Sequence, residues 1–165
     1  YYHDYTSSVR KFDFEITSYY KLNIDKILID SHFHLEFVKR PNSNNLINPL
    51  AQKIISNKKI GIISHLNIES FLNFHNSTLV QQFSIPKRDA GIFNKINIKK
   101  YNDIKNKILN TNIDIDIWFV AAGAYAKPFC NYIKYNNGIA IDLGSAIDTW
   151  AGEYNSRKYL RTLID

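Results

Sequence analysis

From Ile113 to Gly152 the chain reads IDIDIWFVAAGAYAKPFCNYIKYNNGIAIDLGSAIDTWAG, and this stretch constrains the fold most. An apolar run, a turn of small residues, a segment opened by Pro128, a second apolar run and a glycine turn follow one another. Proline is pre-organised for a first helical turn, and Phe129, Tyr132 and Ile133 make an apolar stripe behind it. Asn136-Asn137-Gly138 ends that helix, because Asn and Gly tolerate the left-handed conformation. The order is strand, loop, helix, strand, loop. In open α/β sheets such loops lie at the carboxyl ends of the strands, where ligands bind.

The preceding chain repeats the pattern. Leu46, Ile47, Leu50, Ile54 and Ile55 recur at helical spacing, with Pro49 suited to a first turn. IGIIS (60–64) is a short apolar strand with His65 at its end. Asn67 is placed to cap a helix carrying Ile68, Phe71, Leu72 and Phe74. STLVQQFSIP (77–86) is the next strand, stopped by Pro86, and Lys99–Leu109 forms a basic amphipathic helix that suits either an outer layer or a membrane surface. IDIDIWFVAAG and IAIDLGS are two further buried strands. Strands alternating with helices predict an α/β protein, a single Rossmann-like domain spanning residues 1–165, with a mostly parallel sheet and helices on both faces.

Composition narrows the partners. Among 165 residues the net charge is +6, yet no compact Lys/Arg block stands out, so nucleic acid is not an expected partner. Phosphate-bearing small molecules fit the charge better, with peripheral contact to an anionic membrane as a second option. The single cysteine, Cys130, and the lack of a long apolar run point to a cytoplasmic protein, in solution or at the inner face of the membrane. Methionine is absent, so the sequence is read as trimmed or incomplete, and local motifs carry more weight than long spacings.

Several residues carry candidate chemistry. Gly123, Ala124, Tyr125 and Lys127 stand at a helix amino terminus, where free N–H groups and the helix dipole favour an anion such as a diphosphate. The glycines match neither the P-loop nor the dinucleotide fingerprint. Near the amino terminus Asp13 and Glu15, one residue apart, can converge on Mg²⁺ or Mn²⁺, or can be two solvated acids. His32 and His34 have the spacing of a ligand pair on a strand, but no second cluster completes a tetrahedral set. Asp142, Asp148 and Glu153 are candidate general bases, with Asp148 placed in the loop after the last strand. Trp150 and Tyr154 suit either packing or stacking on a sugar or base.

GAYAKPFCNYIK, followed by GIAIDLGSAIDTWAG and Arg157, resembles the carboxyl-terminal part of the GT-D-type glycosyltransferases. Arg10, Asp13 and Glu15 match that family's Arg-x-x-Asp-x-Glu signature. The resemblance implies sugar transfer from a nucleotide-sugar donor, UDP-sugars foremost, to a glycan, glycoprotein or lipid-linked acceptor. It implies Asp13 and Glu15 as metal or donor carboxylates and Arg10 as a phosphate or structural partner. A leaving diphosphate also needs positive charge, for which His65 or Arg157 is placed. A non-catalytic nucleotide- or glycan-binding module is the alternative. IDLGS also resembles a methyltransferase motif, which keeps an S-adenosylmethionine-dependent methyltransferase as a weaker one.

Overall fold

The computed structural model describes residues 33–41, 43–87, 98–110 and 114–161. A 3₁₀ turn at Phe33–Phe37 leads to helix α1 (Pro49–Ile55), strand β1 (Lys59–Ile63), α2 (Glu69–Phe74), β2 (Thr78–Phe83) and α3 (Ile98–Asn110). Strand β3 (Ile117–Val120), a 3₁₀ turn at Gly123–Tyr125, α4 (Ala126–Tyr135), β4 (Ala140–Asp142), α5 (Ala146–Trp150) and α6 (Lys158–Arg161) complete the order. The four strands form one sheet in the order β2-β1-β3-β4, and every neighbouring pair is parallel.

Local chemistry sets the helix ends. Asn48 caps α1 by accepting from Leu50 N–H at 2.9 Å, one residue before Pro49, and the Asn67 side chain accepts from Glu69 N–H at 3.1 Å. Asn57, Asn76 and Asn137, just beyond α1, α2 and α4, have φ of 59°, 55° and 60°. This chain therefore uses asparagine where helices usually stop on a left-handed glycine. Asn137, not Gly138, takes that conformation. Gly138 is required for space instead, since a Cβ there would lie 2.7 Å from Ile133 Cγ2.

Sheet alternation divides the core into two layers. Trp118 and Val120 of β3 face one side, with Ile63, Phe83, Ile104 and Ile108 of α3, and Phe129 and Ile133 of α4. Phe119 faces the other side, against Phe37 at 5.8 Å and Trp150 of α5 at 5.4 Å, and Phe71 of α2 stacks on Trp150 at 4.5 Å. The architecture is thus an α/β fold with a parallel sheet and helices on both faces.

Gly61 sits beside Trp118 in the β1–β3 register, and a Cβ at position 61 would lie 2.4 Å from the indole. Phe83 stacks on that ring at 5.4 Å, so the indole has little room to retreat. Gly61→Ala is expected to cost about 1–3 kcal/mol through overpacking, read from the urea midpoint. An alanine variant as stable as the parent would show that Trp118 repacks freely.

Some expectations change. Residues 33–37 form a 3₁₀ turn rather than an alternating strand, so the strand spacing expected around His34 does not hold; His32 lies outside the described residues. The helix expected from Leu46 starts at Pro49, and its inward residues are Ala51 and Ile55, leaving Leu46 and Leu50 each 52% exposed. Strand β4 is not buried. It forms an edge of the sheet, and Ile139 before it is 62% exposed. Helix α3 turns Ile104 and Ile108 into the core, while Ile98 at its start stays 73% exposed. Among the described residues no helix is long and apolar enough to cross a membrane.

Candidate functional site

The chain passes from β1 to α2 on the Phe71 face and from β3 to α4 on the Phe129 face. Neighbouring parallel strands whose following helices lie on opposite faces create a crevice between their outgoing loops. Here the loops are residues 64–68 and 121–125. The first is fixed by Ser64, whose buried hydroxyl oxygen accepts from Leu66 N–H at 3.2 Å. The second continues the sheet for one residue, with Ala121 N–H donating to Ile63 at 2.8 Å. His65 is half-buried at the rim.

Gly123 turns the second loop with φ +56° and no atom within 4 Å of a hypothetical Cβ, so its requirement is conformational. Gly123, Ala124 and Lys127 are exposed at the start of α4. Tyr125 is half-buried against Tyr101, 5.6 Å between ring centres, and its inner face is therefore committed to packing.

Two carboxylates lie at or beyond the end of β4. Asp142, the last residue of β4, accepts from Gly144 N–H at 3.1 Å and so shapes the following turn. Desolvation raises its pKa, opposed by the Gly144 hydrogen bond and the charges of His34 and Lys127. Asp148 belongs to α5, not to a loop, and is only 9% exposed. Burial pushes its carboxyl above the usual range; the Ser156 hydroxyl, His65 and Arg157 draw it back, while Glu153 adds to the rise. Residues from the β1 loop, α5 and the segment after it thus converge electrostatically on one carboxyl group.

Glu153 has a different environment. It forms an ion pair with Lys87 at 3.1 Å, and its backbone N–H donates to the Asp148 carbonyl at 2.8 Å. It acts as a tie between the residues after β2 and those after α5. Trp150, a candidate for sugar stacking, is instead 4% exposed and donates from Nε1 to the Phe37 carbonyl at 2.6 Å. Tyr154 is half-buried, and desolvation raises its hydroxyl pKa.

Arg10, Asp13 and Glu15 lie outside the described residues. Among the described residues no group of three His, Cys, Asp or Glu side chains is arranged to hold a metal ion. Ser156 and Lys87 have no motif that singles them out. Only the neighbouring Arg157 hinted that the Ser156 segment approaches the crevice.

The chemistry available is that of a shielded carboxyl group beside an imidazole and a guanidinium. Such a group holds its proton more readily than a solvated carboxylate and is the better base once ionised. Fold and site together define a parallel α/β protein with a buried carboxyl group, Asp148, under the electrostatic influence of side chains from the segments that follow its strands. No family model, curated protein or solved structure matches the chain.

Proposed function

We propose that the chain is a glycosyltransferase, moving a sugar from a nucleotide-sugar donor to a glycan, glycoprotein or lipid-linked acceptor. The observation that carries this reading is Asp148, buried beyond the end of β4 and within the electrostatic influence of His65 and Arg157. The Gly123 turn and Lys127 receive the donor diphosphate at the start of α4, where the helix dipole and a cation both favour negative charge. His65 and Arg157 add positive charge as the leaving group ionises. Asp148 accepts the proton of the acceptor hydroxyl. In this reading Asp13 and Glu15 hold Mg²⁺ or Mn²⁺, which would neutralise the leaving diphosphate when bound.

UDP with Mn²⁺ is the first probe. Saturation at a hundredfold excess over Kd would stabilise the fold by about 2.7 kcal/mol, a readable rise in melting temperature. UDP-sugars should then be hydrolysed slowly in the absence of acceptor, and Asp13→Ala with Glu15→Ala should lose that activity. Absence of a shift with UDP, GDP, CDP and ADP, with and without metal, would sink the proposal. Nucleotide binding that persists with no hydrolysis or transfer would favour the binding-module reading.

A further inference from the structure

Helix α4 and strand β4 enclose a shallow groove of about 580 Å³, lined by Lys127, Cys130, Asn131, Lys134, Gly138, Ile139, Ala140 and Asp142. Its helical wall follows directly from spacing, since positions 127, 130, 131 and 134 share one face. Its floor is the outer edge of the sheet. Trp118 N–H donates to the Ile139 carbonyl and Leu143 N–H to the Val120 carbonyl, so the backbone groups of residues 139 and 143 point at β3. Alternation then turns those of Ala140 and Asp142 outward. They meet no backbone partner among the described residues.

The side chains also divide by face. Ala140 is paired with Trp118 and Asp142 with Val120, which puts both on the α4 side, under the lysines. Ile139 and Ile141 lie on the other face, and Ile139 is 62% exposed. An extended chain laid beside β4 would therefore find two outward backbone positions to bond. On one face it would meet Lys127 and Lys134, and on the other an uncovered isoleucine. Acids two residues apart on an added strand lie about 6.7 Å apart, within reach of lysines separated by about 10.5 Å along the helix.

From this juxtaposition we infer that β4 is a docking edge for an acidic extended peptide, added as a fifth strand with acidic residues toward α4 and apolar residues toward Ile139. Main-chain bonds supply the affinity, and the lysines select the partner by charge. Asp142 repels an acid at the carboxyl end of β4, so the preferred acids lie toward Lys134. The inference does not need sugar transfer, but it shares Lys127 with the proposed diphosphate site, so Lys134, which has no part in that site, is the lysine that tests it.

The probe is a fluorescein-labelled peptide of alternating valine and glutamate, followed by anisotropy with the full chain. Binding should weaken at least tenfold when the glutamates are replaced by lysines, and at least tenfold when the peptide's alternate amides are N-methylated. Lys134→Glu should weaken it at least tenfold as well. Ala140→Pro removes an outward N–H without breaking a bond to β3, and it should abolish binding. The inference is overturned if the lysine or N-methylated peptide binds as well as the acidic one. It is also overturned if no peptide binds, or if sedimentation shows β4 covered by a second copy in a dimer that Ala140→Pro dissociates. Should Ala140→Pro fail to fold, the N-methylated peptide on the parent chain decides the matter.

Discussion

If the chain is the glycosyltransferase proposed, Asp148→Asn is expected to lower transfer by about two to four orders of magnitude, the usual contribution of a positioned general base. The same variant should melt at a higher temperature than the parent near neutral pH. Both outcomes come from one cause. Burial raises the folded-state pKa of Asp148 above its unfolded value of about 4, so between the two values the folded chain binds the extra proton. Stability therefore falls as pH rises through that window and stays lowered above it. Asparagine cannot ionise and escapes the penalty. The melting-temperature gap between variant and parent should be widest at neutral pH and shrink as pH falls toward 4. Differential scanning fluorimetry across pH, beside a donor-consumption assay, checks both halves. A variant that keeps full activity removes Asp148 as the base, and one that is destabilised at neutral pH shows that its charge is fully compensated by His65, Ser156 and Arg157.

The layered fold was legible because its signals are local. Apolar runs at β1 and β3, Asn67 before α2 and Pro128 within the first turn of α4 each act within a few residues, and the structure keeps them in place. What depends on neighbours in space was less legible. Nothing in IAIDLGS distinguishes a central strand from an edge one, because edge position is decided by strand order rather than by composition. The stretch Phe33–Phe37 alternates as a strand does, yet Phe37 is used as a single buried anchor against Phe119 and Trp150, a role a 3₁₀ turn serves equally well. The candidate site divides in the same way. His65 and the Gly123 turn follow from being at strand ends. The approach of Ser156 and Arg157 to Asp148 depends on a turn at Gly152, where φ is +79°, and on the Glu153–Lys87 tie. Neither leaves a pattern in the sequence.

Trp150→Ala should be the most damaging single substitution in the described residues, at about 3–5 kcal/mol for removal of a buried aromatic side chain. Trp150 touches Phe71, Phe119 and Phe37, which come from α2, β3 and the turn before α1, so its loss opens a cavity shared by three segments. The Nε1–H bond to the Phe37 carbonyl is a separate loss. Trp150→Phe separates the two effects. It keeps most of the ring contact and removes the donor, with an expected cost of about 1–3 kcal/mol. The functional consequence is specific, because Asp148 sits two residues earlier in the same five-residue helix. A helix that short has almost no stability of its own and is held by its packing. Under the proposed function Trp150→Phe should therefore lower kcat more than it raises KM, as the Asp148 carboxyl loses its fixed position while the Gly123 turn is untouched. Urea denaturation and steady-state kinetics on the two variants test this. A Trp150→Ala protein within 1 kcal/mol of the parent would mean that the aromatic cluster does not hold α5 in place, and that the position of Asp148 depends on the segment from Glu153 to Arg157 instead.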